Sequence, residues 1–494
     1  MNYTSTRGGT DKKVTSAYAI KTGLASDGGL FMPESIPTLT EKELRELMGD
    51  SYPTRAAKIL SKFLTDYTYN ELLEDALGAY STEKFGDFAA PVTKLDCSNY
   101  MLELWHGPTC AFKDMALQIM PRLFTRALRK CGEEKCAMIL VATSGDTGKA
   151  ALEGYRDITG TKIKVFYPVE GVSRVQKLQM QTQEGSNVSV SAIVGNFDDA
   201  QSGVKKIFSD AGIAKELADN KVFLSSANSI NWGRLVPQIV YYISAYCDMV
   251  NSGAIKFGEK IDVSVPTGNF GNIFAGYIAK LMGLPIEKLI CASNVNNVLT
   301  DFLQTGTYDK NRKFHATISP SMDILISSNL ERLLYVMLGS EKTAKYMKEL
   351  NEFGKYTIDA EELSKIQESF IGYYTDENET RETVGRIYKE KNCLIDTHTA
   401  VAVHAAECYA NDFKAERKIL AVSTASPYKF ASDVFSSVSG KEPKDELSAL
   451  EELQRFTGVE IPLPLASLKN KKTLHNETID KSKMADATLL FARS

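Results

Sequence analysis

The sequence predicts an α/β fold whose parallel sheets are buried on both faces. Three observations carry that reading. Short apolar runs rich in β-branched residues recur through the middle of the chain, and strands buried on both faces read as such runs rather than as alternations. Helical patterns lie between several of them, the order that parallel crossovers require. The 494 residues are 43% hydrophobic and 24% charged, ordinary globular usage that excludes disorder, collagen-like repeats and a long coiled coil.

The same arithmetic excludes several functions. At ~150 residues per domain the length predicts roughly three domains, or two large ones. Lys plus Arg (58) nearly balances Asp plus Glu (62), a net charge of −4, so no global basic field offers itself to nucleic acid. The start MNYTSTRGGTDKK lacks the apolar stretch of a secretory signal. No apolar run reaches the ~18 residues of a membrane helix. The longest, Leu235 to Val250, is broken by Gln238 and Asp248 and reads as a buried helix. Eight cysteines without CxxC or zinc spacing read as free thiols in a reducing, cytoplasmic setting. HExxH and GxSxG are both missing from the sequence, so no metal and no serine triad is expected.

In chain order, the first part to about Asn99 reads as helical after an irregular start, and Thr40 with Glu43 forms a capping box ahead of ELRELM. Strand-like runs follow at CAMILVA (136–142), KIKVFYP (162–168), NVSVSAIV (187–194), KVFLS (221–225), IDVSVP (261–266), LICAS (289–293) and RKILAVST (417–424). GKAALEGYRD and IFAGYIAKLMG are helical patterns between them. From Ser321 to Lys391 the pattern turns helical, with a second capping box at Asp359 and Glu362, and reads as a helical insertion. The tail with Lys469, Lys471 and Lys472 reads as a solvated surface segment.

Ligands of such folds bind beyond the carboxyl ends of strands. After CAMILVA comes Thr143-Ser144-Gly145-Asp146-Thr147-Gly148-Lys149, whose small residues expose N–H groups to an anion. A nucleotide P-loop would need Gly at 143 and Ser or Thr at 150, where Thr143 and Ala150 stand. A carboxylate or a small phosphate fits better, and a plain polar turn explains the loop equally well. After IDVSVP comes Thr267-Gly268-Asn269-Phe270-Gly271-Asn272, which suits one phosphate at a helix N-terminus and does not match the dinucleotide pattern. After RKILAV, Thr424 offers a hydroxyl at a strand end. A fourth segment, Glu103 to Asp114, places Lys113 at the edge of an uncharged run. Most lysines are solvated. Partial burial would disfavour the charged form of this one and suit it to Schiff-base chemistry.

Here the chain resembles a known family. HGPTCAFKD (106–114) resembles the cofactor-lysine motif of the threonine synthases, pyridoxal-phosphate enzymes of fold type II. YTSTRG (3–8), DGGLFMP (27–33), TSGDTG (143–148), NSINWGR (228–234), PTGNFGN (266–272) and STASPYKF (423–430) resemble that family's segments, in its order.

The resemblance implies two three-layer α/β/α lobes with mostly parallel sheets. It divides the chain into an N-terminal region (1–98), a smaller domain (136–225) and a larger one (99–135 with 226–494) carrying the insertion at about 321–391. It implies that Lys113 carries pyridoxal 5'-phosphate, that Gly268, Asn269, Phe270, Gly271 and Asn272 cradle the cofactor phosphate, and that Thr424 faces the ring nitrogen. Ser144, Gly145, Asp146 and Thr147 would take the substrate carboxylate, with Ser144 and Thr147 as the donors; in several fold-type-II relatives an asparagine of this loop reaches the cofactor's ring hydroxyl, and Asp146 stands here instead. The substrate would be O-phospho-L-homoserine and the products threonine and phosphate. Asn228, Asn231 and Arg234 are candidates for the substrate phosphate, because guanidinium and amide donors suit a dianion; Arg7 and Arg174 are weaker ones. No nucleic-acid or membrane partner is expected, and the chain is expected to be a monomer or homodimer. Two other readings stay open: a dehydratase or cysteine synthase relative, and a non-catalytic protein of this fold.

Overall fold

Burial sorts the strand runs into two sheets. The computed structural model describes residues 1–9, 13–143 and 145–494. The larger sheet has six strands in the order Phe370–Tyr374, Ile286–Ser293, Ile261–Pro266, Ile419–Ser423, Asn99–Glu103 and Val92–Lys94. All neighbours are parallel except the last pair, where Val92–Lys94 runs antiparallel to Asn99–Glu103. Ile261–Pro266 and Ile419–Ser423 are buried at every position, which is why they read as unbroken apolar runs. The smaller sheet is all parallel, in the order Thr478–Asp480, Val188–Val194, Thr161–Pro168, Cys136–Ala142 and Val222–Ser225. Two mostly parallel sheets with helical crossovers are the architecture the sequence predicted.

The helix Trp232–Asn251 holds the main core together. It packs on the helices Gly271–Leu281 and Tyr52–Phe63, and nearly all of its residues are buried. Its two sequence interruptions are satisfied locally. Gln238 donates to the Arg234 carbonyl at 2.8 Å, and Asp248 pairs with Arg55 at 2.7 Å. Arg55 belongs to the N-terminal region, which docks here through Tyr3 as well: its hydroxyl donates to the Phe63 carbonyl at 3.0 Å and its ring meets Trp232 at 5.7 Å. Among the described residues no helix is long and apolar enough to cross a membrane.

Both expected capping boxes form, at Thr40–Glu43 and Asp359–Glu362. Three expectations need correction. The stretch 321–391 is not purely helical. Phe370–Tyr374 is the edge strand of the larger sheet, and Lys355–Thr357 pairs with Thr307–Asp309. Only Phe370 and Gly372 of that edge strand are buried, so five residues of period 2 were masked by the longer helical patterns around them. The end of the chain does not lie with the larger lobe. Thr478–Asp480 extends the smaller sheet, and Met484–Arg493 packs beside it with Met484, Thr488 and Ala492 buried. A three-residue edge strand is too short to signal itself. Val92–Lys94 likewise joins the larger sheet although it lies within 1–98.

Candidate active site

Lys113 is positioned by a segment stitched to the end of a neighbouring strand. Beyond Asn99–Glu103, the chain runs along the residues that follow Ile419–Ser423. Leu104 N–H donates to the Ser423 carbonyl (3.0 Å), Phe112 N–H to that of Thr424 (2.8 Å), and Ser426 N–H to that of Cys110 (3.0 Å). The turn is tight. Cys110 has φ +58°, a left-handed value rare for a residue with a side chain. A Cβ on Gly107 would stand 2.6 Å from the Asp114 side chain, so only glycine fits there. Asp114 locks the turn by accepting from the Thr109 N–H and hydroxyl, both at 2.8 Å. Burial outweighs those bonds and pushes its carboxyl up to about 6.

The Lys113 side chain, 8% exposed, meets groups from two other segments. Nζ donates to Asp146 Oδ2 at 3.3 Å and to Ser321 Oγ at 3.2 Å. Burial lowers the ammonium below the usual lysine range, the Asp146 charge opposes that, and the cations Lys429 and Arg234 add to it. Burial alone would raise the Asp146 carboxyl, but Lys429 and Lys113 hold it well below the usual carboxylate range. Lys429 Nζ lies 2.8 Å from Asp146 Oδ1, with its side chain fully buried, and also donates to the Thr109 carbonyl and Gln179 Oε1, each at 3.1 Å. Gln176 Nε2 donates to the same carboxylate at 2.9 Å. Gly145, at φ +147°, leaves room for that amide, since a Cβ would stand 2.5 Å from it. Asp146 is thus an ion-pair partner of two lysines. Ionised, its side chain has no proton to donate to a substrate carboxylate, so that contact falls to other groups of the loop.

The loop after Ile261–Pro266 has a different character. Phe270 takes the left-handed conformation at φ +62° and packs on Phe370 at 5.6 Å. Ser327 Oγ donates to the Gly268 carbonyl (2.7 Å), and Asn329 donates through N–H and Nδ2 to that of Asn269, both at 3.0 Å. Those bonds engage the carbonyls on one side. The N–H groups of Gly268, Asn269, Phe270, Gly271 and Asn272 find no acceptor among the described residues. They stand free at the start of the helix Gly271–Leu281, a ready anion site. The Thr424 hydroxyl likewise makes no hydrogen bond among the described residues, while its carbonyl fastens the Lys113 segment.

The expected phosphate residues separate. Arg234 is 4% exposed, and burial lowers its guanidinium to about 10. Nη1 donates to the Ala227 carbonyl at 2.5 Å, but Nε has no partner among the described residues, a buried donor that asks for a ligand. Asn231 is different. It caps the helix Trp232–Asn251, with Oδ1 accepting from Gly233 N–H and Nδ2 donating to the Ile20 carbonyl, both at 2.8 Å. Both polar atoms of its side chain are held on main-chain groups, which marks it first as a structural cap. Asn228 is exposed. Arg7 forms a two-pronged pair with Glu331 at 3.0 and 2.9 Å, so it too is occupied. Thr147 is half-buried in the Asp146 loop. Ser144 lies outside the described residues.

Four contributors were not singled out from the sequence: Lys429, Ser321, His398 and Arg332. Lys429 met the criterion that selected Lys113, being the one charge in the run Ser423 to Ser432. Arg332 is fully buried and donates to the carbonyls of Phe31 (3.3 Å) and Ile230 (2.5 Å) and to the side chain of Asn329. It ties the DGGLFMP and NSINWGR segments to the residue that clasps Asn269. A long-range role of that kind leaves no local pattern.

Parallel sheets that meet at a buried lysine, with free main-chain donors opposite it, define a pyridoxal-phosphate-dependent enzyme of fold type II. Residues 91–425 match the family model described as "Pyridoxal-phosphate dependent enzyme", and residues 2–80 match "Threonine synthase N terminus". The threonine synthase of Pseudomonas aeruginosa is 38% identical over 453 residues, covering 90% of this chain and 92% of that one. The crystal structure of the yeast threonine synthase superposes with a TM-score of 0.89 at 34% identity, covering 99% and 98% of the two chains. The PLP-bound threonine synthase of Brucella melitensis gives 0.88 at 35% identity over the full length of both. This chain belongs to the threonine synthase family. Human threonine synthase-like 1 is 40% identical over 457 residues, and the chain spans only 60% of the length of that relative.

Proposed function

We propose that this chain converts O-phospho-L-homoserine and water into L-threonine and phosphate with pyridoxal 5'-phosphate bound through Lys113. The observation that carries the reading is the buried Lys113 ammonium, weakened by its surroundings and held beside an ionised Asp146. The residues present fit the cofactor. Free N–H groups from Gly268 to Asn272 suit its phosphate. The neutral Thr424 hydroxyl suits a ring nitrogen that stays unprotonated, which favours elimination over transamination. When bound, the cofactor supplies the electron sink for charge that develops on the substrate carbons.

The rest falls to the chain's own groups. Burial weakens the Lys113 ammonium, which eases release of its proton, while the Asp146 charge opposes that and keeps the amine a base for a proton at carbon. Asp146 holds that proton on Nζ by its negative charge, 3.3 Å away. Thr147 and the main chain around Gly145 are left to bind the substrate carboxylate. Arg234 brings an unpartnered Nε to the second phosphate, in a buried position where a guanidinium–dianion bond is strong.

Purified chain supplied with O-phospho-L-homoserine is expected to release phosphate and form threonine in equal amounts. Lys113→Ala should remove the visible absorption of the bound cofactor and cut turnover by roughly four orders of magnitude, as for other groups that do the chemistry. Turnover of serine derivatives with no threonine formed would assign the chain to a different elimination reaction.

A further inference from the structure

One polar path reaches Lys113 from the far side of the larger lobe, and the proposed reaction leaves it without a role. The short turn Pro320–Met322 packs directly on the cofactor loop, and a Cβ on Gly268 would stand 2.8 Å from the Ser321 carbonyl oxygen. From this turn, Ser321 Oγ accepts from Lys113 Nζ at 3.2 Å and donates to Asp146 Oδ2 at 3.3 Å. The hydroxyl proton points at the carboxylate, so an oxygen lone pair is left facing the lysine. Behind the turn, Ser321 N–H donates to His398 Nε2 at 3.1 Å. His398 is 2% exposed, and its Nδ1 lies 3.0 Å from Asp396 Oδ1. The neutral tautomer with its proton on Nδ1 satisfies both partners. Asp396 is fully buried. It caps the helix Thr397–Phe413 by accepting from the His398 and Thr399 N–H groups. The His398 ring rests on Phe430 at 4.7 Å, next to Lys429.

We propose that Ser321 is a further catalytic residue of this site, its hydroxyl fixing the Lys113 Nζ whenever that nitrogen carries a proton, and that His398 with Asp396 is its positioning pair. This rests on the reading of Lys113 as the reacting amine and does not depend on the identity of the substrate. A freed lysine amine on a four-carbon stem has many rotamers, and a catalyst needs one. Asp146 alone gives a single charged contact, which fixes distance better than direction. Ser321 adds a second, directional contact, and its own orientation is set by the same carboxylate. His398 acts on the main chain of the turn, so it sets where the hydroxyl stands and not its chemistry. The charged groups facing Lys113 are Asp146, Lys429 and Arg234, none of which Ser321→Ala removes.

The test uses the full chain freed of cofactor. Competitive acetylation of Lys113 against pH, read by mass spectrometry, gives the midpoint of its titration. An acceptor for the ammonium raises that midpoint, so Ser321→Ala should lower it by roughly one pH unit. In the loaded enzyme the same variant should lower kcat by about tenfold with KM little changed. His398→Gln places an oxygen where Nε2 stood and should keep the parental midpoint; His398→Asn cannot reach the Ser321 N–H and should follow Ser321→Ala. Unchanged titration and kcat in Ser321→Ala would overturn the catalytic role. Equal behaviour of the Gln and Asn variants would overturn the positioning role. Absence of threonine formation would strike the proposed reaction and leave the acetylation midpoints as they are.

Discussion

The two strand ends that face each other across the site handle charge in opposite ways. The loop from the larger sheet, Gly268–Asn272, contributes no ionised side chain, and its main-chain N–H groups have no acceptors among the described residues. The loop from the smaller sheet buries a full negative charge, Asp146, between Lys113 and Lys429. Main-chain donors carry partial charges and cost little to leave waiting for a ligand. Buried ions do not have that freedom. Each has lost its water, and its stability depends on every partner staying in place. The larger-sheet loop is therefore a receptor tuned by shape, and the smaller-sheet loop is a balanced charge cluster that sets the state of the lysine.

The largest expected effect breaks that cluster. Lys429→Met leaves Asp146 with one lysine, and that lysine is itself committed once cofactor is bound. Removing one partner of a buried pair costs about 3–5 kcal/mol. Urea unfolding of the loaded enzyme should show a loss of that order. The double variant with Asp146→Asn should recover most of it, because no buried charge is left alone. Additive losses in the double variant would mean that the two residues do not balance each other.

Asp114 is the internal control for Asp146. It is fully buried, has no ion-pair partner among the described residues, and its carboxyl is pushed up to about 6. Its folded value lies above that of an unfolded aspartate, so its contribution to stability is present below pH ~4 and lost as pH rises through ~6. Asp146 works in the other sense, contributing above pH ~4 and weakening below it. Asp114→Asn keeps both Thr109 contacts and should flatten the fall in stability between pH 4 and 7. The change amounts to about 2–3 kcal/mol and can be followed by urea midpoints at the two pH values. An unaltered pH slope would mean that Asp114 is ionised throughout.

On the larger-sheet side the expected effect is on binding. The Cβ of Gly268→Ala would approach the Ser321 carbonyl oxygen, a main-chain atom, to 2.8 Å. Either the loop or the turn must move, and the free donors move with it. Cofactor affinity should fall about thirtyfold, ~2 kcal/mol, while the urea midpoint of the cofactor-free chain changes little. A large loss of stability with unchanged cofactor affinity would mean that the loop is a structural joint instead of a receptor.

These contrasts also show how much was legible in the sequence. The β-branched runs and capping boxes named seven of the eleven strands in the two larger sheets and two helix starts, because both signals are local. The loops after CAMILVA and IDVSVP stood out for the same reason, and the structure brings Lys113, Asp146 and Gly268 to Asn272 together. The edge strands Phe370–Tyr374 and Thr478–Asp480 were not legible, because short strands with two buried positions or none carry too few residues to set a period. Ser321 and His398 were missed for another reason. A serine and a histidine acquire a role here through bonds to groups 77 or more residues away, and single-sequence patterns do not record such contacts. Lys429 could have been found, since a lone charge in an uncharged run was the argument used for Lys113.

Asn231 tests the smallest of these distinctions. The family-like motif and the suitability of amide donors for a dianion grouped it with Arg234 as a phosphate ligand. The structure separates them by what their polar atoms already hold. Asn231 Oδ1 and Nδ2 are both engaged on main-chain groups, one of them capping the helix that carries Arg234, whereas Arg234 keeps Nε free. Asn231→Ala should therefore lower stability by about 1 kcal/mol, the usual worth of an N-cap, and leave KM for the phosphorylated substrate unchanged. Paired measurements of the urea midpoint and KM decide it. A several-fold rise in KM at unchanged stability would put Asn231 back among the residues that touch the substrate, and would mean that a side chain engaged in the free protein changes partners when the phosphate arrives.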